Sequence, residues 1–254
     1  MKNLARLGCM ARSAVYFLVG VLALLVALGN PYGQTTDTRG ALRVVLTQPF
    51  GAFALVVLGI GLVAYAVWRM VQSVQDRDRY GRGFFGLCAR SGFFLSGVAH
   101  AFLAFYAFNL TFNLASGSEW GERMLAKWVL MHPLGNYALE VAGAIVIFIG
   151  VVQFASAFSG AFLRDLRIPG RRARLLVPLS RFGLIARGIV FVIIGSFFFQ
   201  SGWKMRSREA GGLSKAWETL HQQPFGGVLL GSVAMGFMAF AVFGFIEGFY
   251  RKSV

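Results

Sequence analysis

The chain has 254 residues, of which 57% are hydrophobic and only 14% charged, with a mean hydropathy of +0.64. That is too apolar for a soluble globular domain of this length, so a membrane is its expected surroundings. A formal net charge of +15 would suggest nucleic acid in a soluble protein, but these basic residues fall between apolar runs and lack the interleaved aromatics of single-strand binders. Membrane lipids, with anionic head groups at the cytoplasmic face, are the expected partners, and nucleic acid is not.

Six apolar runs follow one another at 13–28, 50–70, 91–113, 134–158, 184–201 and 225–250. Each approaches or exceeds the roughly 20 residues that a helix needs to cross about 30 Å of hydrocarbon. The first and fifth runs are short, which predicts that Arg12 and Arg187 snorkel to head groups from just inside them. The first run also resembles a signal peptide, with Lys2, Arg6 and Arg12 before it and Ala27-Leu28-Gly29 as a small-residue site. Its place in the repeat described next predicts that it is retained. Seventeen of the 25 lysines and arginines lie on the side of the two chain ends, which predicts cytoplasmic termini in a bacterial inner membrane. Cys9 and Cys88 fall on the same side and are expected to be reduced.

Two motifs recur three times. Gly8-Cys9-Met10-Ala11-Arg12, Gly86-Leu87-Cys88-Ala89-Arg90 and Gly183-Leu184-Ile185-Ala186-Arg187 each open an odd-numbered run. Gln48-Pro49-Phe50-Gly51, His132-Pro133-Leu134-Gly135 and Gln223-Pro224-Phe225-Gly226 each open an even-numbered one. Arg12 precedes Pro49 by 37 residues and Arg187 precedes Pro224 by 37, whereas Arg90 precedes Pro133 by 43. The chain therefore reads as three tandem two-helix units, 1–80, 81–165 and 166–254, forming one membrane domain. Two crossings per unit make the repeats parallel, and a six-helix all-α bundle around a pseudo-threefold axis is the expected closure. The prolines are expected in the first turn of each even helix, where a missing N–H costs nothing, with Gly51, Gly135 and Gly226 admitting a neighbouring backbone.

Short amphipathic stretches stand between the odd and even runs. Trp120, Met124 and Trp128 follow i, i+4, i+8 spacing, and Leu213, Trp217 and Leu220 are similarly placed. They predict interfacial helices on the outer face, with tryptophan at head-group level.

With Gly40-Ala41-Leu42, Gly61-Leu62-Val63-Ala64-Tyr65 and the loop Phe162-Leu163-Arg164-Asp165-Leu166-Arg167, the threefold pattern resembles the bacterial family called domain of unknown function 1206. The resemblance covers essentially the whole chain. It implies a six-helix, three-repeat inner-membrane protein and brings with it no activity, cofactor or catalytic residue.

The second repeat departs most from the pattern. At the third and seventh positions after each proline stand Ala52 and Val56, then Asn136 and Glu140, then Gly227 and Gly231. The last pair is a GxxxG, which marks a packed face, so Asn136 and Glu140 are expected to face inward with His132 one turn above. A carboxylate at membrane depth must be paired, protonated or hydrated, and His100 on the third run is the expected partner. A histidine beside a carboxylate relays protons or binds a cation, or it simply locks two helices together. Transport of an ion, proton or small molecule is thus one expectation; a non-catalytic scaffold, lipid-binding or accessory subunit is the other. No HExxH, GxSxG, paired catalytic aspartates or CxxCH occurs, so neither an enzyme nor a metal or cofactor site is expected.

Overall fold

A computed structural model describes residues 2–76, 80–81, 83–112, 122–163 and 170–250. In chain order the helices are α1 (Lys2–Ala27), α2 (Thr38–Leu46), α3 (Gly51–Gln75), α4 (Phe84–Phe112), α5 (Glu122–Leu130), α6 (Gly135–Ser159), α7 (Gly170–Trp203), α8 (Leu213–His221) and α9 (Gly226–Tyr250). Single 3-10 turns stand at Ala161–Leu163 and Ser207–Glu209, and no strand occurs among the described residues. Six helices, α1, α3, α4, α6, α7 and α9, are long and apolar enough to cross a membrane. The protein is a polytopic all-α membrane protein built from three two-helix repeats. The loop over Arg164, Asp165, Leu166 and Arg167, the basic residues Arg77, Arg79, Arg82, Arg251 and Lys252, and Trp120 lie outside the described residues.

The helices α1 and α7 are not short. They run for 26 and 34 residues, straight through Arg12 and Arg187. The apolar runs break at these arginines, but the backbone does not, because each guanidinium finds partners inside the bundle.

The proline motif forms a corner before each even helix. Gly51 N–H donates to the Gln48 carbonyl at 2.8 Å and Gly135 N–H to that of His132 at 3.0 Å, so proline occupies the second position of a turn rather than the first turn of the helix. The residue after it is left-handed each time: Phe50 at φ 60°, Leu134 at 64° and Phe225 at 59°. That conformation is costly for bulky side chains. The following glycine is required because a Cβ there would strike the last carbonyls of the preceding short helix: Val45 for Gly51, Val129 for Gly135 and His221 for Gly226. The expected close approach exists, and its partner is the short helix of the same repeat.

The long helices are arranged in the order α4, α3, α1, α9, α7, α6, each packed on the next. This is the pseudo-threefold ring with one side missing. In repeats one and three the hairpin partners pack, α1 on α3 and α7 on α9, while among the described residues no comparable packing joins α4 to α6. The expected closed bundle is thus an open one, and the reason is local. A Cβ on Gly61 would collide with that of Ala11, and one on Gly236 with that of Ala186, so in both repeats the alanine of the GxxAR motif nests in a glycine of the even helix. The equivalent position in repeat two is Ile145, which is 51% exposed. A side chain there removes the seat that would bring Ala89 and α4 close.

The helix α6 is held instead by α7. Gly143 and Gly150 face Gly195 and Gly188 across a backbone-to-backbone contact, with Gly202 continuing the seven-residue spacing.

The short helices differ from one another. In α5, Met124 and Trp128 are about half exposed, as an interfacial helix requires. By contrast α8 buries Ala216, Trp217 and Leu220, and Trp217 packs edge-on against Phe237 of α9 at 5.2 Å. Trp217 is therefore inside the bundle and not at head-group level. Similarly, α2 buries Ala41 and Leu42, with Asp37 capping its N-terminus through Gly40 N–H at 2.9 Å. The chain leading into it folds back along α1, Gln34 N–H reaching the Leu22 carbonyl at 3.3 Å. Together α2 and α8 fill the ring on the face opposite the chain ends.

Candidate functional site

Arg12 stands nine residues into the first span, about 14 Å along the helix. It is 4% exposed. Its guanidinium donates to Tyr65 Oη of α3 at 2.6 Å and pairs with Glu247 of α9 at 3.3 Å. Its Cζ lies 4.8 Å from the Tyr65 ring centroid and 5.5 Å from that of Phe240, while Nε is buried without an acceptor. A guanidinium so enclosed is held by this set of charge, hydrogen bond and π faces; no single contact would offset its desolvation.

Two more arginines converge on the same aromatics. Arg69 donates from Nε to Tyr65 Oη at 2.7 Å and from Nη1 to Gln72 at 3.1 Å, and it stacks on Phe93. Arg187 of α7 lies 4.7 Å over Phe240 and 4.6 Å over Phe191. Phe240 thus carries a cation from the first repeat and one from the third. Arg12, Arg69 and Arg187 are within electrostatic reach of one another and of His100. Among the described residues no carboxylate pairs with Arg69 or Arg187. The cluster holds more positive charge than Glu247 neutralises.

His100 of α4 stacks edge-on against Tyr65, centroids 4.6 Å apart. Its Nδ1 meets the Ser96 carbonyl at 2.7 Å, and because a carbonyl only accepts, that nitrogen carries the proton and Nε2 remains available. A cavity of about 340 Å³ begins at Arg12, Tyr16 and His100 and extends past Leu62 and Leu103 to Asp37, Thr38 and Arg39 at the start of α2. Its rim includes Ala99 and Phe102, both exposed, so it opens where α4 has no neighbour toward α6.

The three GxxAR arginines have different fates. Arg12 and Arg187 point into the bundle and do not snorkel. Arg90 donates to the Ser73 and Val74 carbonyls at 2.6 and 3.0 Å, capping the end of α3. Their glycines act alike in repeats one and three, Gly8 lying on the Tyr65 backbone and Gly183 on that of Phe240; Gly86 lies on the Tyr80 and Gly81 carbonyls.

The predicted polar stripe lies elsewhere. Asn136 and Glu140 are half-buried against Gly202 of α7, whose Cβ would stand 2.8 Å from Glu140 Cγ. His132 is exposed, its Nδ1 meeting the Trp128 carbonyl at 2.9 Å and its ring 4.5 Å from that of Trp128. Gly202 is fifteen residues beyond Arg187 on α7, about 22 Å along the axis. Among the described residues nothing joins Glu140 to His100, whose neighbours are Tyr65 and the arginines.

Sequence reasoning missed Tyr16, Tyr65, Arg69 and Glu247. The same count from each proline, carried deeper, finds three of them. The sixteenth positions are Tyr65, Ile149 and Phe240, the twentieth Arg69, Gln153 and Gly244, and the twenty-third Gln72, Ser156 and Glu247. Each triplet breaks the symmetry as sharply as Glu140 does. No group of three or more histidine, cysteine or acidic side chains able to hold a metal occurs among the described residues, and both cysteines are free thiols.

The chain is similar to a Bacillus subtilis (strain 168) protein described as uncharacterized protein YxxB, with 29% identity over 254 residues that cover 99% of this chain and 91% of the relative. No solved structure gives a significant match. Residues 7–76, 91–160 and 182–251 each match the family described as Domain of Unknown Function (DUF1206), so one copy of the domain falls on each pair of crossings. This bacterial multi-pass membrane protein, with its three homologous hairpins and its arginine cluster, belongs to the DUF1206 family.

Proposed function

We propose that the protein binds an anion in the cavity beside Arg12, Tyr16 and His100 and serves its transport in the membrane, without catalysis. The observation that carries this reading is the charge balance: Arg12 lines unfilled space inside a membrane bundle with Arg69 and Arg187 within electrostatic reach, and among the described residues Glu247 is the one carboxylate paired with the cluster, Asp37 at the far end of the cavity being spent on the cap of α2. Uncompensated charge at that depth is costly, and a bound anion would supply what the protein does not. Arg187, stacked on two rings and without a hydrogen-bond acceptor among the described residues, adds its charge to the field around Arg12. Cytoplasmic termini, supported by the bias of lysine and arginine, would put the cluster in the half of the bilayer nearer the cytoplasm.

A second reading, a scaffold that holds an anionic lipid without moving it, is favoured by α2 and α8. Leu42 and Trp217 are fully buried and fill the ring on the face opposite the chain ends. One pair of measurements separates the two. Purified protein in neutral detergent is titrated with dodecyl phosphate and with inorganic phosphate, and proteoliposomes are assayed for flux of the anion that binds. Binding with flux supports transport, and binding without flux supports the scaffold. If neither anion binds, the cavity is not an anion site.

A further inference from the structure

Resting on that anion-binding reading, we infer that the ligand is an anionic membrane phospholipid, which enters sideways between α4 and α6 and sets its phosphate against Arg12, in the field of Arg69 and Arg187.

Size comes first. The cavity, about 340 Å³, lies at the lower end of the range for small-molecule sites, about 300–1,000 Å³. That suffices for a phosphate with its glycerol and leaves no room for acyl chains as well. A lipid could use this space only if its tails left the bundle, and the open side of the ring provides the exit.

The walls of that exit suit hydrocarbon. The positions that carry Gly61 and Tyr65 toward α1, and Gly236 and Phe240 toward α7, carry Ile145 and Ile149 in α6, 51% and 37% exposed. On the other side Phe102 of α4 is 68% exposed and also lines the cavity. These three side chains are all apolar. An inorganic anion would have no use for such a doorway, whereas an amphiphile needs an apolar flank leading to a charged end.

The charged end is built to receive a phosphate. Arg12 lines the cavity, and Arg69 and Arg187 add to its field from within electrostatic reach, Arg187 without an acceptor among the described residues. His100 presents Nε2 as an acceptor, suited to a head-group hydroxyl beside the phosphate. The cations come from the first and third repeats, and the doorway comes from the second. One division of labour thus accounts for both departures from threefold symmetry, the missing contact and the uneven arginines.

The test uses the full chain in neutral detergent, with thermal unfolding and native mass spectrometry as readouts. Dioleoylphosphatidylglycerol is expected to raise the unfolding midpoint by several degrees and to remain bound one per chain, while dioleoylphosphatidylcholine and inorganic phosphate do neither. Arg187→Gln, which removes one charge from the field around Arg12, is expected to weaken phosphatidylglycerol binding several-fold. Ile145→Trp, which narrows the doorway from an exposed position, is expected to weaken it similarly while leaving the unliganded midpoint unchanged. Equal responses to phosphatidylcholine and phosphatidylglycerol would overturn the inference, because head-group charge would then play no part. Inorganic phosphate acting as well as phosphatidylglycerol would also overturn it, and would leave the anion cavity standing. Silence with all three would remove both. These comparisons are made on unaltered protein, so they hold even where a variant fails to fold.

Discussion

In the first and third repeats the two long helices of the hairpin touch; in the second they part. The motifs that build the hairpins are present in all three, so the difference arises one layer deeper, where Gly61 and Gly236 are matched by Ile145. Between membrane helices there is no hydrophobic drive to close a gap, since lipid tails are as apolar as leucine, and close approach rests on small residues and polar contacts. One β-branched side chain in place of a glycine is therefore enough to leave a face to lipid. The short helices repeat the lesson. In the third repeat α8 turns its tryptophan inward onto Phe237, whereas in the second α5 leaves Trp128 half exposed.

The largest effect expected from breaking this comparison is at Trp217. Its ring is fully buried among Val19, Ala41, Val190 and Phe237, so Trp217→Ala opens a cavity that the surrounding helices cannot collapse into. The expected loss is about 3 kcal/mol, the lower end for such truncations. Trp128→Ala, on the exposed side of α5, is expected to cost under about 0.5 kcal/mol. Thermal unfolding in one detergent compares the two, and equal losses would show that both short helices are packed alike.

Next is Glu247, the carboxylate that meets Arg12. Glu247→Gln leaves a buried guanidinium without its counter-charge, which costs about 3–5 kcal/mol when both partners are fully enclosed. Glu247 retains 16% side-chain exposure, so a loss of about 2 kcal/mol is expected, measured again by thermal unfolding. An unchanged midpoint would mean that Tyr65 and the rings hold Arg12 by themselves.

The third test exchanges the residues that separate closed hairpins from the open one. Gly236→Leu must force Ala186 and α7 away from α9, at about 1–3 kcal/mol as for other overpacked sites. Ile145→Leu, at the equivalent position on the open side, is expected to be silent. If Ile145→Leu also destabilised, then α6 would have a packed neighbour there and the ring would be closed in solution.

How far the sequence carries this picture depends on the range of the interaction. The repeat, the corners at Gln48-Pro49-Phe50-Gly51 and its two counterparts, and the six crossings are local patterns and could be read directly. Arg12 could not be read, because an arginine inside an apolar run looks like its boundary until Glu247, 235 residues away, is known to meet it. The inward turn of α8 was hidden for a similar reason: spacing defines the apolar stripe of Leu213, Trp217 and Leu220 without saying whether lipid or protein covers it. The opening between α4 and α6 was within reach, since Ile145 stands at the twelfth position after Pro133, where Gly61 and Gly236 follow Pro49 and Pro224. An isoleucine in an apolar run carries no polar mark of that difference, which shows only when the three helices are aligned on their prolines.

Glu140 supplies the last and smallest expected effect, and the one that most sharpens the contrast between repeats. It makes no hydrogen bond or ion pair with another described residue and lies against Gly202, about 22 Å along α7 from Arg187. Removing its charge therefore breaks no contact within the bundle and leaves the field at the arginine cluster nearly unchanged. Glu140→Gln, which keeps volume and shape, is expected to move the unfolding midpoint by an amount equivalent to under about 0.5 kcal/mol. It is also expected to leave anion binding at the cavity intact. The measurement is a paired one, thermal unfolding with and without dodecyl phosphate. Loss of the ligand-induced shift in Glu140→Gln would place the functional centre in the second repeat, on the stripe that joins Asn136 to Glu140, and not where the first and third repeats bring their arginines together.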